Sequence, residues 1–195
     1  MARDAVYFGD GNIPYKRWTL NTASALEGSS YDTTVETAFT ALGVNDADPN
    51  AGGTPRYLNQ KAGVRLHYRA LVHVVDQNST DTLTLKVRFG SASGTVVFTG
   101  AAVDVADNDL ILLEGDIWIT TVGSSGKFNA IGSGFYGGGT DGRSTSSVFD
   151  GSIDTTGALD LVVTADWSVN HNDNDATLLQ FEAELWPAFG TADES

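Results

Sequence analysis

Apolar residues fall on alternate positions in segment after segment of this chain, and that periodicity restricts what it can fold into. Val64, Leu66, Tyr68, Ala70, Val72 and Val74 alternate with Arg65, His67, Arg69, Leu71 and His73. Leu83, Leu85, Val87 and Phe89 alternate with Thr84, Lys86 and Arg88. Leu159, Leu161, Val163, Ala165, Trp167 and Val169 repeat the pattern, as do Leu179, Phe181, Ala183 and Leu185. Strand side chains point to opposite faces with period two, so each segment predicts a strand with one buried and one wet face.

Turn formers separate these strands. "DQNSTD" lies between the first two and predicts a hairpin. "NHNDNDA", Asn170 to Ala176, lies between the last two and predicts a second hairpin. Its loop is longer than the usual two to five residues. "GTVVFTGAAVDV" predicts a strand bulged at Gly100. "DLILLEGDIWITTV" is apolar on both faces and predicts a doubly buried strand broken near Glu114 and Gly115. "KFNAIGSGFYG" adds another strand, and a weaker one runs through Val148, Phe149 and Ile153. Short strands at this spacing indicate a sandwich or barrel.

"TTVETAFTALG" reads in two ways. Thr33 and Glu36 have capping-box spacing, with Val35, Ala38, Phe39 and Leu42 on one stripe and Gly43 as a stop, which fits a helix over 33–42. Val35, Thr37, Phe39 and Ala41 on one side fit a strand equally well.

Composition narrows function. There is no cysteine, so disulfides and thiolate chemistry are excluded. No apolar run approaches the ~20 residues of a membrane helix, and "MARDAVYFGDGNIPYKRW" shows no signal-like apolar stretch. Acidic residues number 25 against 11 basic, a formal charge of −14, with 19 Asp against four Lys. Such a chain should repel nucleic acid and anionic membranes. Dispersed acids at this density also suit high salt, where ions screen self-repulsion.

No motif points to catalysis. The Asn170, His171, Asn172, Asp173, Asn174, Asp175 loop fails the EF-hand pattern, because its sixth residue is Asp175 and its twelfth is Phe181. "DADPNAGG" from Asp46 fails it too, and Asp104, Asp107 and Asp109 have no motif spacing. Turn chemistry accounts for these Asn and Asp residues. The Asn170–Asp175 loop is therefore expected to be exposed for contact. The expectation is no cofactor, with loosely bound Ca²⁺ or Na⁺ left open. His67 and His73 lie six residues apart on one strand, about 20 Å, too far to share an ion. Ser124 and Lys127 match S-x-x-K but sit in a glycine turn, and "YGGGTDGRS" lacks a phosphate-loop ending. Asn78-Ser79-Thr80 is a sequon at the first predicted hairpin tip.

If residues 64–89 form a hairpin, then Arg65, His67, Arg69, His73, Lys86 and Arg88 share one face, which should meet acidic groups. The partner is either a neighbouring subunit, through Asp160, Asp166, Glu182 and Glu184, or the surface of another protein. The other reading is that acids of the same chain neutralise the face.

From Leu58 to Pro187 the order of features resembles a diffuse group of small β-sandwich, jelly-roll-like virion proteins of tailed viruses. "DTLTLKVRFG", "IWITTVGSSGKFNAIGSG" and "LDLVVTADWS" carry the resemblance. It implies a jelly-roll-like fold, a place on the particle surface and symmetric oligomers, and it transfers no catalytic residue. The expected fold is therefore an all-β, antiparallel, jelly-roll-like sandwich. Residues 58–187 form the core, 1–57 are either a docking arm or first strands, and 188–195 are a tail. The expected function is non-enzymatic: a capsid decoration or cement protein, a homotrimer on the major capsid protein, binding neither nucleic acid nor membrane. The alternatives are a tail or fibre component touching a host receptor, a single-jelly-roll capsid protein of a halophilic virus, and, less favoured, a carbohydrate-acting enzyme.

Overall fold

The computed structural model describes residues 16–20, 23–26, 36–45, 56–59, 61–78, 80–137 and 142–186. The expected loop at Asp46 lies outside them. Among the described residues, thirteen strands form two antiparallel sheets. In chain order they are β1 (Lys16–Leu20), β2 (Ser24–Leu26), β3 (Thr37–Ala38), β4 (Leu42–Gly43), β5 (Arg65–Asp76), β6 (Thr82–Phe89) and β7 (Thr95–Thr99). There follow β8 (Val103–Asp104), β9 (Leu110–Thr121), β10 (Gly126–Gly137), β11 (Gly142–Ile153), β12 (Asp160–Trp167) and β13 (Asp175–Trp186). One sheet runs β1-β13-β5-β9-β10-β11, with β2 also on β13. The other runs β3-β12-β6-β7, with β4 on β12 and β8 on β6. The fold is the expected antiparallel sandwich.

Both expected hairpins are corrected. β5 pairs with β13 and β9, not with β6, and β12 pairs with β6, not with β13. The chain changes sheet between β5 and β6, and again between β12 and β13. Alternation states which face of a strand is buried, and that face is the same whether the next strand lies alongside or across the core. Packed sheets lie about 10 Å apart, a gap that a loop of this length spans and a tight hairpin turn does not. The two crossings run together as a two-stranded ribbon folded from one sheet to the other. That wrapping is the jelly-roll feature of the fold.

The stretch open between helix and strand resolves as β3 and β4, both paired with β12. Phe39, Leu42 and Val44 are buried in the common core. β9 is continuous where a break was expected. Ile111, Leu113, Ile117 and Ile119 all face inward, and Gly115 keeps the phase. Its missing side chain makes room for the Tyr68 ring: a Cβ there would lie 2.5 Å from the Tyr68 hydroxyl. The strand expected to bulge at Gly100 ends at Thr99 and resumes as β8, while Gly100 N–H donates to Leu85 O. Between the sheets, Tyr68, Phe98, Phe128 and Phe181 are fully buried, and Phe89 meets Phe128 edge to face at 5.3 Å.

A buried Asn holds the first part of the chain against this core. Asn45 Nδ2 donates to the carbonyls of Thr155 (2.9 Å) and Gly157 (2.8 Å), and its Oδ1 accepts from Leu58 N–H (2.9 Å).

Candidate functional site

The crossing loops contain the Asn-rich stretch Asn170–Asp175. Asn174 is fully buried, which corrects its expected exposure. Its Nδ2 donates to Asp81 Oδ2 and to Val169 O, both at 2.9 Å, and its Oδ1 accepts from Asn78 N–H at 3.0 Å. Ser168 Oγ accepts from Thr82 N–H at 2.8 Å. The two crossovers are thus tied to each other by one amide side chain. Asn170, Asn172 and Asp173 are exposed as expected. His171 lies at 3.6 Å from Asp173, and Asp175 begins β13. Among the described residues, no three His, Asp or Glu side chains gather around a point where one ion would sit.

Replacing Asn174 with Ala will cost about 2 kcal/mol, because it leaves the buried Asp81 carboxylate without its principal donor. Urea unfolding of the two proteins measures this. A loss within experimental error would mean that the latch carries no energy.

The six basic residues do not share a face, contrary to the hairpin expectation. Arg65, His67, Arg69 and His73 lie on the outer face of the seven-stranded sheet, on β5. Lys86 and Arg88 lie on the other sheet, on β6, and point away from the same core.

On the smaller sheet, acids of the same chain neutralise the pair. Glu36 receives Lys86 Nζ at 2.5 Å and Arg88 Nε and Nη2 at 2.6 and 2.7 Å, and Thr164 Oγ1 donates to the same carboxylate. Burial raises the Glu36 pKa, but the Arg88, Lys86 and Thr164 donors outweigh it and hold the carboxyl down at about 2. Glu36 was read from the sequence only as a capping residue. No local signal connects it to β6, which lies 50 residues on.

The larger sheet presents an ordered pattern across its strands. One row reads Arg17, Glu184, His67, Asp116, Ile131 and Ser147. The next reads Thr19, Glu182, Arg69, Glu114, Ser133 and Thr145. Opposite charges stand opposite each other in both. Arg17 bonds Glu182, and His67 Nδ1 lies 3.1 Å from Asp116. Apolar rows flank the charges: Leu71, Leu112 and Phe135 on one side, Trp186 and Trp118 with Arg65 between them on the other. Arg65 lies over the Trp186 ring at 5.1 Å. Leu110, Ile131 and Phe149 stand well out in solvent at 47%, 53% and 88% exposure.

Two shallow depressions lie on this face. Arg69, Leu71, Leu112 and Gln180 line one. His67, Glu114, Asp116, Ser133, Arg143 and Thr145 are among the residues lining the other. Glu114 and Asp116 are two residues apart on one strand, about 7 Å along it. They share one wall and face Arg69 and His67, instead of facing each other across a cleft.

His67 titrates above ordinary imidazole, chiefly because Asp116 accepts its hydrogen bond. Burial and Arg65 oppose this, and Glu184 adds to it. A raised folded pKa means that the His67 contribution is complete below the unfolded value of 6.5 and is lost as pH rises through the folded value. NMR titration is expected to place His67 above the ordinary imidazole value of 6.5, and Asp116→Asn to bring it down. An unmoved His67 in the variant would contradict the pairing.

Lys127 bonds Ser152 Oγ at 3.0 Å across β10 and β11, and Ser124 is exposed in the preceding turn. Asp109 is buried, accepting from Ala106 N–H, and Asp107 accepts from Gln77 N–H. Both serve the turn into β9.

No family model matches the chain, and no curated protein matches it. Solved structures distantly similar to the chain include two lectins and a phage module. Lectin I from Ulex europaeus, in complex with the methyl glycoside of α-L-fucose, is 9% identical with a TM-score of 0.35, over 84% of this chain and 98% of that one. The CBM2 module of the Lactobacillus casei BL23 phage J-1 evolved Dit is 7% identical with a TM-score of 0.34, over 78% and 71%. The metal-free lectin I-B4 from Griffonia simplicifolia is 8% identical with a TM-score of 0.31, over 84% and 99%. Likeness at this level carries nothing about ligand or role.

Proposed function

We propose that this chain is a structural virion protein that decorates the head of a tailed virus and works through its surfaces as a homo-oligomer. One observation carries the reading. The outer face of the seven-stranded sheet holds Leu110, Ile131 and Phe149 in solvent beside two rows of ordered charge. Ile131 stands opposite Ser147, two residues from Phe149, so these two large apolar side chains are neighbours, and adjoining exposed apolar groups are what a protein contact covers. The resemblance of residues 58–187 to small virion sandwiches supports the same assignment, with the major capsid protein as partner and the capsid surface as location.

The test is cryo-EM of the source particle, with the chain located in the map, beside particles carrying Arg69→Glu. Arg69 is exposed and reports on contact. Arg88 is unsuitable, because reversal there would break the Glu36 cluster instead. Density on the head shell, weakened in the variant, is the expected result. A chain found only at the tail tip or on fibres, or forming the shell itself, would overturn decoration.

High salt belongs to the same proposal. With a formal charge of −14, the unfolding midpoint should rise between dilute buffer and molar salt as self-repulsion is screened. A flat or falling midpoint would count against a saline setting.

A further inference from the structure

β11 ends the seven-stranded sheet and pairs only with β10 among the described strands. An unpaired strand edge is a template for another chain, and proteins ordinarily blunt it with short length, charge, proline or a cover. Among the described strands, β1, β3, β4 and β7 are blunted at their edges. β1 has five residues, including Lys16 and Arg17, and β3 and β4 have two each. β7 is covered by β11 itself: Ser146 Oγ accepts from Thr99 N–H at 2.9 Å, and Ser144 Oγ from Ala101 N–H at 2.8 Å.

β11 is less protected: its charges, Arg143 and Asp150, stand toward its two ends, and its bulge, between Val148 and Gly151 opposite Asn129, leaves residues 143–148 in regular pairing with β10. It is twelve residues long and contains no proline. Residues 143–149, "RSTSSVF", carry one charge in a chain of net −14. Phe149, on this strand, is 88% exposed.

We propose that β11 is a self-association edge. Two copies join β11 to β11 antiparallel about a two-fold axis normal to the sheet, giving one continuous sheet across the pair. Facing sets the register. Arg143, Thr145, Ser147 and Phe149 are exposed on the outer face, while Ser144 and Ser146 point inward to β7. Directly opposed residues of an antiparallel pair share a face, so the axis passes through a residue, not between two. With the axis at Ser146, Thr145 opposes the second copy's Ser147, and Arg143 opposes the second copy's Phe149. Arg143 already lies over Phe135 at 5.0 Å. The second copy's Phe149 completes that stack and leaves solvent, and no like charges meet. An axis at Thr145 or Ser147 breaks this match. The contact is isologous and closes at two copies, a different unit from the trimer expected from the sequence. It does not depend on where the chain sits on a particle.

Sedimentation of the full chain at low salt, at micromolar concentration, tests the pairing. The expected result is a dimer. T145K/F149K puts like charges into the joint and should weaken the dimer roughly tenfold or more. Both positions are exposed, so the fold is retained, and circular dichroism checks this. A second measurement uses the absence of native cysteine. T145C mixed with S147C under oxidation should give a disulfide-linked heterodimer, with far less product from either variant alone. A wild-type monomer or trimer overturns the proposal. So does a dimer that survives T145K/F149K unchanged while the cysteine mixture fails to link.

Discussion

Replacing Glu36 with Ala will lower the unfolding free energy by about 3 kcal/mol, in the range found for breaking a buried ion pair. The Glu36 side chain is 12% exposed, and those of Lys86 and Arg88 are 18% and 13% exposed. Without the carboxylate, two cations remain half-desolvated and adjacent on β6. Asp166, 3.8 Å from Lys86, compensates only one of them. The loss comes from the orphaned cations more than from the worth of the cluster itself. Replacing all three residues together with apolar ones of similar size should therefore recover much of it. Chemical denaturation of the single and triple variants decides this, and a triple variant no better than Glu36→Ala would refute the explanation. The pH dependence follows with a definite sign. The folded pKa of Glu36 is about 2, below the ordinary 4.5. Its stabilisation is therefore present above about pH 4.5 and is lost as pH falls towards 2. In Glu36→Gln that part of the acid slope should be missing.

Gly132→Ala will cost about 3 kcal/mol by overpacking, the upper part of the usual range for an added methyl in a tight core. A Cβ at Gly132 would collide with the Tyr68 hydroxyl and lie 2.9 Å from Phe98 Cδ2. Gly132 pairs with Gly115 on the neighbouring strand, and Gly115 meets the same hydroxyl. The two glycines form the recess that admits the phenol. Tyr68 Oη is buried with no hydrogen-bond partner among the described residues, and burial drives its pKa well above the ordinary tyrosine value. Tyr68→Phe should therefore cost less than about 1 kcal/mol, since no hydrogen bond is lost. In the Gly132→Ala background it should restore part of the lost stability. Strict additivity in the double-mutant cycle would show that the collision is not with the hydroxyl.

These residues show where sequence reasoning reaches its limit. Gly115 reads as a break in β9 because nothing nearby in the chain reveals that Tyr68, 47 positions earlier, fills the space above it. Glu36 reads as a capping residue because its partners lie 50 and 52 residues away. The Asn-rich loop reads as an exposed turn, and most of it is one. Asn174 differs because Asn78 and Asp81 of the other crossover close over it.

The strands themselves were determined by the sequence. Period-two alternation is a local property, so Leu66 to Val74, Leu83 to Phe89, Leu161 to Trp167 and Phe181 to Leu185 declare their buried faces without reference to the rest of the chain. Sandwich architecture follows, since several one-sided strands must share a core. The lack of cysteine and the excess of acid were equally legible. Only the tertiary structure decided which strand neighbours which. An inward-facing Leu or Val is satisfied by a sheet beside it or a sheet opposite, and the alternation is the same in both. That ambiguity sent β5 and β6 to different sheets and split six basic residues between two opposite faces. It also set Glu114, Asp116, Glu182 and Glu184 among the cations of β5, because charge finds its partner through strand register, which is fixed between segments 45 to 117 residues apart.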